Sequence, residues 1–435
     1  MIDIKLIRDN PKHVAAKIKD RGFDADLDKI LKLDGQVKEL NISVQKLREE
    51  RNKISKEKDI EKGKKIKKEL GEKEKKLEAT NKDLQELLLQ IPNIALPQVP
   101  VGNESKNEII KKVGEPRKFD FTPKDHLEIG EKLGIIDVQR AVKVSGTRFA
   151  YLKGDGALLE FAIVQYVLEK LTKEGFIPII PPTLIKQNIT EGLGYWTEGN
   201  QNNYYLISDY EENGKGEGRE NPLYLVGTGE HSVVSMHKDE VFNIKELPKR
   251  YLAFSPCFRR EAGSYGKDTK GIFRVHQFDK LEMVSFVKPQ DDKKEREKLL
   301  SLTEGLVSDL GFSYRAVRLA TEDMAFPAAE TIDIETWIPS QERFRETHSI
   351  STTTDFQARR LNIRYQDGPP ALRSEHSGSK TGGERKYVHI LNGTAFAIGR
   401  TLMAILENYQ QEDGSVLVPK VLQKYLNKTV IKPQK

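Results

Sequence analysis

Between residues 27 and 91 apolar positions return at alternating steps of three and four. Ile30, Leu33, Val37, Leu40, Val44, Leu47, Arg51 and Ile54 form one run, and Ile66, Leu70, Lys73, Leu77, Thr80, Leu84, Leu87 and Ile91 a second. This spacing gives a helix one apolar seam. The break near Asp59 to Lys64, which contains Gly63, predicts a reversal of the chain. The two runs then form an antiparallel helical hairpin, with arms of about 45 Å at a rise of 1.5 Å per residue. Arg51, Lys73 and Thr80 interrupt the seam, as a thin two-helix contact without a thick core allows.

Beyond Ile91 the pattern changes. The segment IPNIALPQVPVGNES reads as a linker. Farther on, Ala157 to Glu174 has the period of an amphipathic helix, closed by Gly175 at the position of a C-terminal cap. It leads into FIPIIPP, a strand halted by Pro181 and Pro182. The segments LYLVGTGE, RYLAFSPCFRRE, IFRVHQFDKLEMVSFV, TIDIETWI and YVHILNGTAF alternate polar with apolar residues. Strands that alternate, without a regular βαβ rhythm, predict an antiparallel sheet of the α+β class. Asp209 to Asn221 reads as a solvated loop insertion.

Charge adds a partner to this picture. The chain of 435 residues carries a formal net charge of +6. Lys46 to Lys76 alone holds 14 Lys/Arg against 8 Asp/Glu, also +6, so the remainder sums to zero. A basic projection on a neutral body suits a polyanion, although heptads alone equally fit a dimerisation coiled coil with a charged surface. Cys257 is the only cysteine, which excludes intrachain disulfides and thiolate zinc sites. The histidines lack ligand spacing. No apolar run reaches the roughly 20 residues of a membrane span, and the N-terminal stretch has no secretory pattern. These features predict a cytoplasmic protein without a membrane partner.

Candidate chemistry concentrates between Ser255 and Met283. Arg259 and Glu261 stand two apart, and Arg274, His276, Phe278, Lys280 and Glu282 keep the same spacing. In strands, such residues share a face. Thr228 with Glu230 and Asn392 with Thr394 repeat the pattern. A guanidinium, an aromatic ring and carboxylates on one surface could hold a phosphate, a base and an amine. Arg400 lies near the start of an apolar helix, where the helix dipole disfavours a cation but a phosphate would welcome one. Several motifs are decoys. GSKT at 378–381 lacks the leading glycine of a phosphate loop, and GKGEG and GDG lack a strand–helix frame. No nucleophile elbow or Cys/His pair appears. His348 invites a catalytic role, but its neighbours Glu346 and Ser349 offer better oxygen ligands for magnesium.

The basic hairpin, FIPIIPP, FRREAGSYGKDTKGIFRVHQFDKLE and NGTAFAIGRTLMAILENYQQEDG together resemble the seryl-tRNA synthetase family of the bacterial type, over essentially the full chain. FIPIIPP resembles the first class II motif, whose proline-containing strand lies at a homodimer interface. FRRE through KLE resembles the second motif and AIGRTL the third. The resemblance implies a catalytic domain over 113–435, built on an antiparallel sheet of six to eight strands flanked by helices. It also implies an N-terminal tRNA-binding domain over 1–112 that carries the coiled-coil arm.

Carried over residue by residue, the resemblance implies that Arg259 holds the α-phosphate of ATP and that Glu261 contacts adenine. Phe278 would stack on the base, and Arg274 and Arg400 would bind the phosphate chain. Arg259 and Arg400 become the catalytic pair. Glu346 and Ser349 would hold Mg²⁺ with the ATP phosphates. Thr228, Glu230 and Glu282 would form the pocket for the serine amino group, with Arg259 beside them, and Asn392 and Thr394 would face the serine hydroxyl. The implied partners are ATP, L-serine and tRNA(Ser), with tRNA(Sec) left open, in a homodimer. Two rival classes would leave different marks on the sequence. An amino-acid-activating relative that serves a carrier protein would lack the arm, and a non-catalytic RNA-binding scaffold would lose the ATP residues. There are departures from the family pattern. Gly229 stands where alanine is usual, Glu330 replaces a lysine, and ETHSISTTTDFQARR lacks the usual cysteine and asparagine.

Overall fold

The computed structural model describes residues 1–57, 59–195, 201–207, 222–262, 270–367 and 384–433. The insertion at 209–221, the GSKT stretch at 378–381 and residues 263–269 of the FRRE segment lie outside them. The chain divides into two compact units, Met1–Ile94 and Ala95–Lys435. Residues 108–113 supply an edge strand to the second unit's sheet.

In the first unit, helices α1 (Leu27–Glu57) and α2 (Ile60–Leu89) form the hairpin. Ile30, Leu40, Val44, Leu47 and Ile54 are buried on α1, and Ile66, Leu70 and Leu84 on α2. Val44 and Leu47 pack with Leu70. Arg48 reaches across to Glu74, with 2.6 Å between Nη2 and Oε1. Two details differ from the heptad reading. Gly63 lies inside α2, since Asp59 caps the helix by accepting the Lys62 N–H at 3.1 Å. Leu88 rather than Leu87 is buried, because a straight helix drifts by about 20° per heptad. Thr80 fits the seam by donating its hydroxyl to the Lys76 carbonyl at 2.8 Å. Lys64, Lys65, Lys67 and Lys68 are exposed.

The second unit is built on an eight-stranded sheet. Its strands are β1 (Glu108–Val113), β2 (Ile177–Ile179), β3 (Lys249–Phe258), β4 (Gln277–Val287), β5 (Tyr314–Arg318), β6 (Glu330–Ile338), β7 (Arg343–Thr354) and β8 (His389–Ala397). The spatial order is β1-β5-β6-β7-β8-β4-β3-β2. Every pair is antiparallel except β2 with β3 at the edge. The α+β expectation holds.

Helices α3 (Asp155–Lys173), α4 (Gly229–Ser235), α5 (Asp292–Asp309) and α6 (Ile398–Tyr409) lie on the sheet. Gly175, with φ +85°, follows α3 as its left-handed exit. Leu281, Met283 and Leu391 pack in one layer with Leu159, Leu306 and Leu402 of α3, α5 and α6. Val284, Phe286 and Ile390 pack in a second layer with Val233 and Val234 of α4. Because side chains alternate along a strand, Phe278, Lys280 and Glu282 share the face of Val284 and Phe286. That row leads from apolar core into polar cavity.

The departures fit their surroundings. Glu330 is buried and its carboxylate is shared by Arg296 and Arg318, each with Nε 2.9 Å away, and by the Gln98 amide at 3.0 Å. A lysine there would face two guanidinium groups. Thr352 donates to Asp292 at 2.7 Å and Thr353 to the Ile390 carbonyl at 3.0 Å. These hydroxyls are satisfied without the customary cysteine and asparagine. At Gly229 a methyl group would stand 3.0 Å from the Ser255 hydroxyl and 3.1 Å from the Ala253 side chain, a tight but nearly filled space.

Candidate active site

A cavity of about 450 Å³ opens where β4, β7 and β8 meet the starts of α4 and α6, and all twelve candidate residues line it. They reach it by different routes. Phe278 and Glu282 on β4, and Asn392 and Thr394 on β8, follow strand alternation as expected. Thr228 and Glu230 do not, because strand geometry has ended and Thr228 caps α4, accepting the Glu230 N–H at 3.3 Å. Arg259 and Glu261 lie beyond the end of β3, where Glu261 takes φ +51°. Arg274 precedes β4. The row of alternating residues is therefore real on two strands and is completed by loop and helix ends elsewhere.

Carboxylates dominate one end of the cavity. Glu230 is only 3% exposed. Its carboxylate accepts the Gln357 amide at 2.8 Å and the Tyr195 hydroxyl at 3.1 Å. Burial pushes the Glu230 carboxyl up to about 7; the Gln357 hydrogen bond pulls it down and the nearby Glu282 charge adds to the rise. Glu282 pairs in register with Thr394, whose hydroxyl lies 3.4 Å from its Oε2. The Asn392 Nδ2 amide is buried without a hydrogen-bond partner. An unpaired buried donor costs about 1–3 kcal/mol, so its presence on a cavity wall marks a place prepared for an acceptor. Burial drops the neighbouring His231 to about 3 and raises the Cys257 thiol. The cavity thus presents neither a basic histidine nor a thiolate nucleophile.

Arginines dominate the other end. The Arg259 guanidinium donates to the Gly227 carbonyl at 3.1 Å and stands 5.4 Å from the Phe278 ring centre. Arg274 pairs with Glu261 at 3.0 Å. Arg400 pairs with Glu346 at 2.9 Å and lies over the Phe273 ring. Two contacts hold the segment that carries Phe273 and Arg274. His126 accepts the Ile272 N–H at 3.2 Å while its other ring nitrogen meets Glu407 at 2.9 Å. On the far side, Gly399 lets α6 approach, since a Cβ there would stand 2.8 Å from the Ile272 carbonyl oxygen. The helix that presents Arg400 is thereby seated against the loop that presents Arg274.

Glu346 and Ser349 are three residues apart, which in a regular strand places them on opposite faces. A bulge at Thr347 corrects this: Ile334 pairs with His348 and Glu335 with Glu346, leaving Thr347 as the extra residue. Both side chains then line the cavity. Asp333, opposite Ser349 in register, is buried with its Oδ1 lacking a partner. Burial and then the Glu346 charge push the Asp333 carboxyl well above its usual value. Enclosure in the cleft opposes ionisation of Glu346 too, but Arg400 outweighs it and holds that carboxyl low. The described residues hold no cluster of three or more His, Cys, Asp or Glu side chains placed to bind a metal. Glu346 and Ser349 nonetheless bring a carboxylate and a hydroxyl to the cavity wall, oxygen donors of the kind that suit a divalent cation such as Mg²⁺. His348 takes no part. It packs against Phe396, with ring centres 5.2 Å apart, and burial depresses it to about 3.

Tyr195, Gln357 and Lys280 were not singled out from the sequence as site residues. Tyr195 and Gln357 are isolated polar residues that give no local signal. Lys280 stood in the alternating row but was given no role.

Fold and cavity define the core of a class II aminoacyl-tRNA synthetase, and the family model "tRNA synthetase class II core domain (G, H, P, S and T)" matches residues 213–409. A second model, "Seryl-tRNA synthetase N-terminal domain", matches residues 1–95. The chain is 40% identical to the serine--tRNA ligase of Thermodesulfovibrio yellowstonii, over 99% of this chain and all of the relative. It is similar to the seryl-tRNA synthetase of Pyrococcus horikoshii, solved with ATP, at TM-score 0.86 and 38% identity, covering 100% of both chains. The cytoplasmic serine-tRNA ligase of Naegleria fowleri, solved with AMP, gives TM-score 0.84 at 30% identity, over 100% of this chain and 99% of that one. The chain belongs to the seryl-tRNA synthetase family.

Proposed function

We propose that the cavity activates L-serine with ATP and passes the seryl group to tRNA(Ser). The serine carboxylate attacks the α-phosphorus of ATP, forming a P–O bond as pyrophosphate leaves. The terminal ribose hydroxyl of the tRNA then attacks the seryl carbonyl, and AMP departs. The protein's own work is positioning and charge neutralisation. Arg259 faces the α-phosphate, Arg274 and Arg400 hold the phosphate chain, Phe278 stacks on adenine and Glu261 accepts from its amine. Glu230 and Glu282 take the serine ammonium, with Thr228 and Arg259 close by, while Asn392 and Thr394 meet the serine hydroxyl. Neither step needs a covalent enzyme intermediate, in keeping with the inert surroundings of Cys257. Glu346 and Ser349 would hold Mg²⁺ together with the ATP phosphates, and the cation would supply charge neutralisation there.

The observation that carries this reading is the meeting of three arginines and two enclosed carboxylates around one cavity whose wall also carries the unpaired Asn392 amide. A pocket built to hydrogen-bond a hydroxyl rejects alanine strongly, because the missing oxygen leaves buried groups unpaired. Pyrophosphate exchange with serine, alanine, glycine and threonine in turn tests the reading. Exchange with serine and little with the others is the expected result; equal exchange with alanine refutes the assignment of Asn392 and Thr394.

The basic arm would grip the tRNA through phosphates and helix shape rather than base edges. The exposed apolar side chains of Leu158, Phe161, Ile177 and Ile180 support a homodimer formed through β2 and α3, which light scattering would detect. No helix among the described residues is long and apolar enough to cross a membrane, and the reaction is assigned to the cytoplasm, where tRNA is charged.

A further inference from the structure

Lys280 is 6% exposed and lines the cavity. Its ammonium lies 2.5 Å from Glu282 Oε2 and donates to the Thr228 hydroxyl oxygen at 2.7 Å. It thus touches two residues of the carboxylate end and stands within electrostatic reach of the third, Glu230. A buried lysine commonly needs one anionic partner. Here the ammonium also contacts a hydroxyl on another element and faces the place where an amino acid would sit.

We propose that Lys280 is a specificity-positioning residue of the serine pocket, in which its buried ammonium, seated between Glu282 and Thr228, sets both the pocket's charge and the direction of the Thr228 hydroxyl. This rests on the functional reading above. The charge argument is a count. Glu230 and Glu282, when ionised, bring two negative charges to one small enclosure, and a single substrate ammonium neutralises only one. Lys280 supplies the other positive charge and Arg259 is committed to the α-phosphate, so that the pocket offers one net negative charge to the incoming amine. Without it, Glu282 loses the cation that fixes its carboxylate, and both buried carboxylates depend on the one substrate ammonium.

The hydroxyl argument is one of valence. The Thr228 oxygen has two lone pairs. Lys280 occupies one, and the Glu230 N–H, at 3.3 Å, occupies the other. The hydroxyl is left with its own proton to give and no lone pair to offer. It therefore cannot accept from the serine ammonium, which has only donors. It can donate to an oxygen of serine. The ammonium then belongs to Glu230 and Glu282, and Thr228 reads an acceptor. This refines the placement of Thr228 in the amino-group pocket.

The test is pyrophosphate exchange by the full-length enzyme carrying Lys280→Met, which keeps the stem and loses the charge, or Lys280→Gln, which keeps a donor for Thr228. Lys280→Met should raise the KM for serine by about 10- to 100-fold, the range for losing hydrogen bonds to a charged group, and leave the KM for ATP unchanged. Lys280→Gln should lie between it and wild type. Adding Glu282→Gln to Lys280→Met should cost less than the product of the two single effects, since it removes the uncompensated charge. A serine KM within threefold of wild type in folded Lys280→Met overturns the inference. So do equal rises in the serine and ATP constants, or failure of both variants to fold, each of which makes Lys280 a stability residue. The functional reading fails separately, if wild type itself shows no serine-dependent exchange.

Discussion

Serine should bind in a pH-dependent way, and the dependence should trace to Glu230. This carboxyl is fully enclosed and pushed up to about 7, chiefly by burial. Its ionised form is the one that attracts the serine ammonium. Affinity is therefore present above the folded-state value and is lost as pH falls through it. With a value near 7, roughly a tenth of the enzyme carries the carboxylate at pH 6 and roughly nine tenths at pH 8, so the serine KM should fall about tenfold across that interval, or about 1.4 kcal/mol. The serine amine itself stays protonated throughout. The assay is pyrophosphate exchange at saturating ATP and Mg²⁺, with serine varied at each half-unit of pH. The ATP constant serves as the control, because the arginines at the other end keep their charge. Glu230→Gln should bind serine weakly and flatten the profile. A wild-type serine KM constant from pH 6 to 8, or an equal slope in Glu230→Gln, would refute the reasoning.

Three other outcomes are expected. Replacing Arg259 or Arg400 by alanine should lower exchange by about 10²- to 10³-fold, the usual consequence of losing a preorganised transition-state partner, and near-normal exchange would remove that role. Glu330→Lys, the residue usual in the family, should destabilise the catalytic unit by about 3–5 kcal/mol, because it strands Arg296 and Arg318. In a unit of some 340 residues that corresponds to a melting point roughly 4–7 °C lower in calorimetry; exchange at 25 °C should persist, as Glu330 does not line the cavity, and an unchanged melting point counts against the ion cluster. Deleting about residues 35–85 should abolish tRNA charging and spare serine-dependent exchange; loss of exchange in a folded deletion would show that the two units do not act separately.

The sequence announced some of these features more loudly than others. The hairpin was legible because its seam repeats for many turns, so one substituted position such as Thr80 does not hide it. Its turn was less so, since a glycine suggests reversal, whereas Asp59, by capping α2, lets Gly63 sit inside the helix. The cavity arginines and Phe278 stood out through local spacing and resemblance, although for Arg259, Glu261, Thr228 and Glu230 the strand geometry invoked was not the geometry present. The Thr347 bulge had no local signature, because an extra residue in one strand shows itself only against its partner. Gln357 and Tyr195 were invisible for a related reason. They come to Glu230 from distant parts of the chain, and contacts of that kind are written in the tertiary fold alone.

Arg274 and Arg400 each already hold a carboxylate, Glu261 and Glu346 respectively. Under the proposed roles, nucleotide entry is an exchange of partners rather than the filling of bare cations. A bare anion such as orthophosphate would evict both carboxylates and give them nowhere to go. ATP with its metal rehouses them, one against the adenine amine and the other against the cation, so the cleft would admit the whole nucleotide in preference to its fragments.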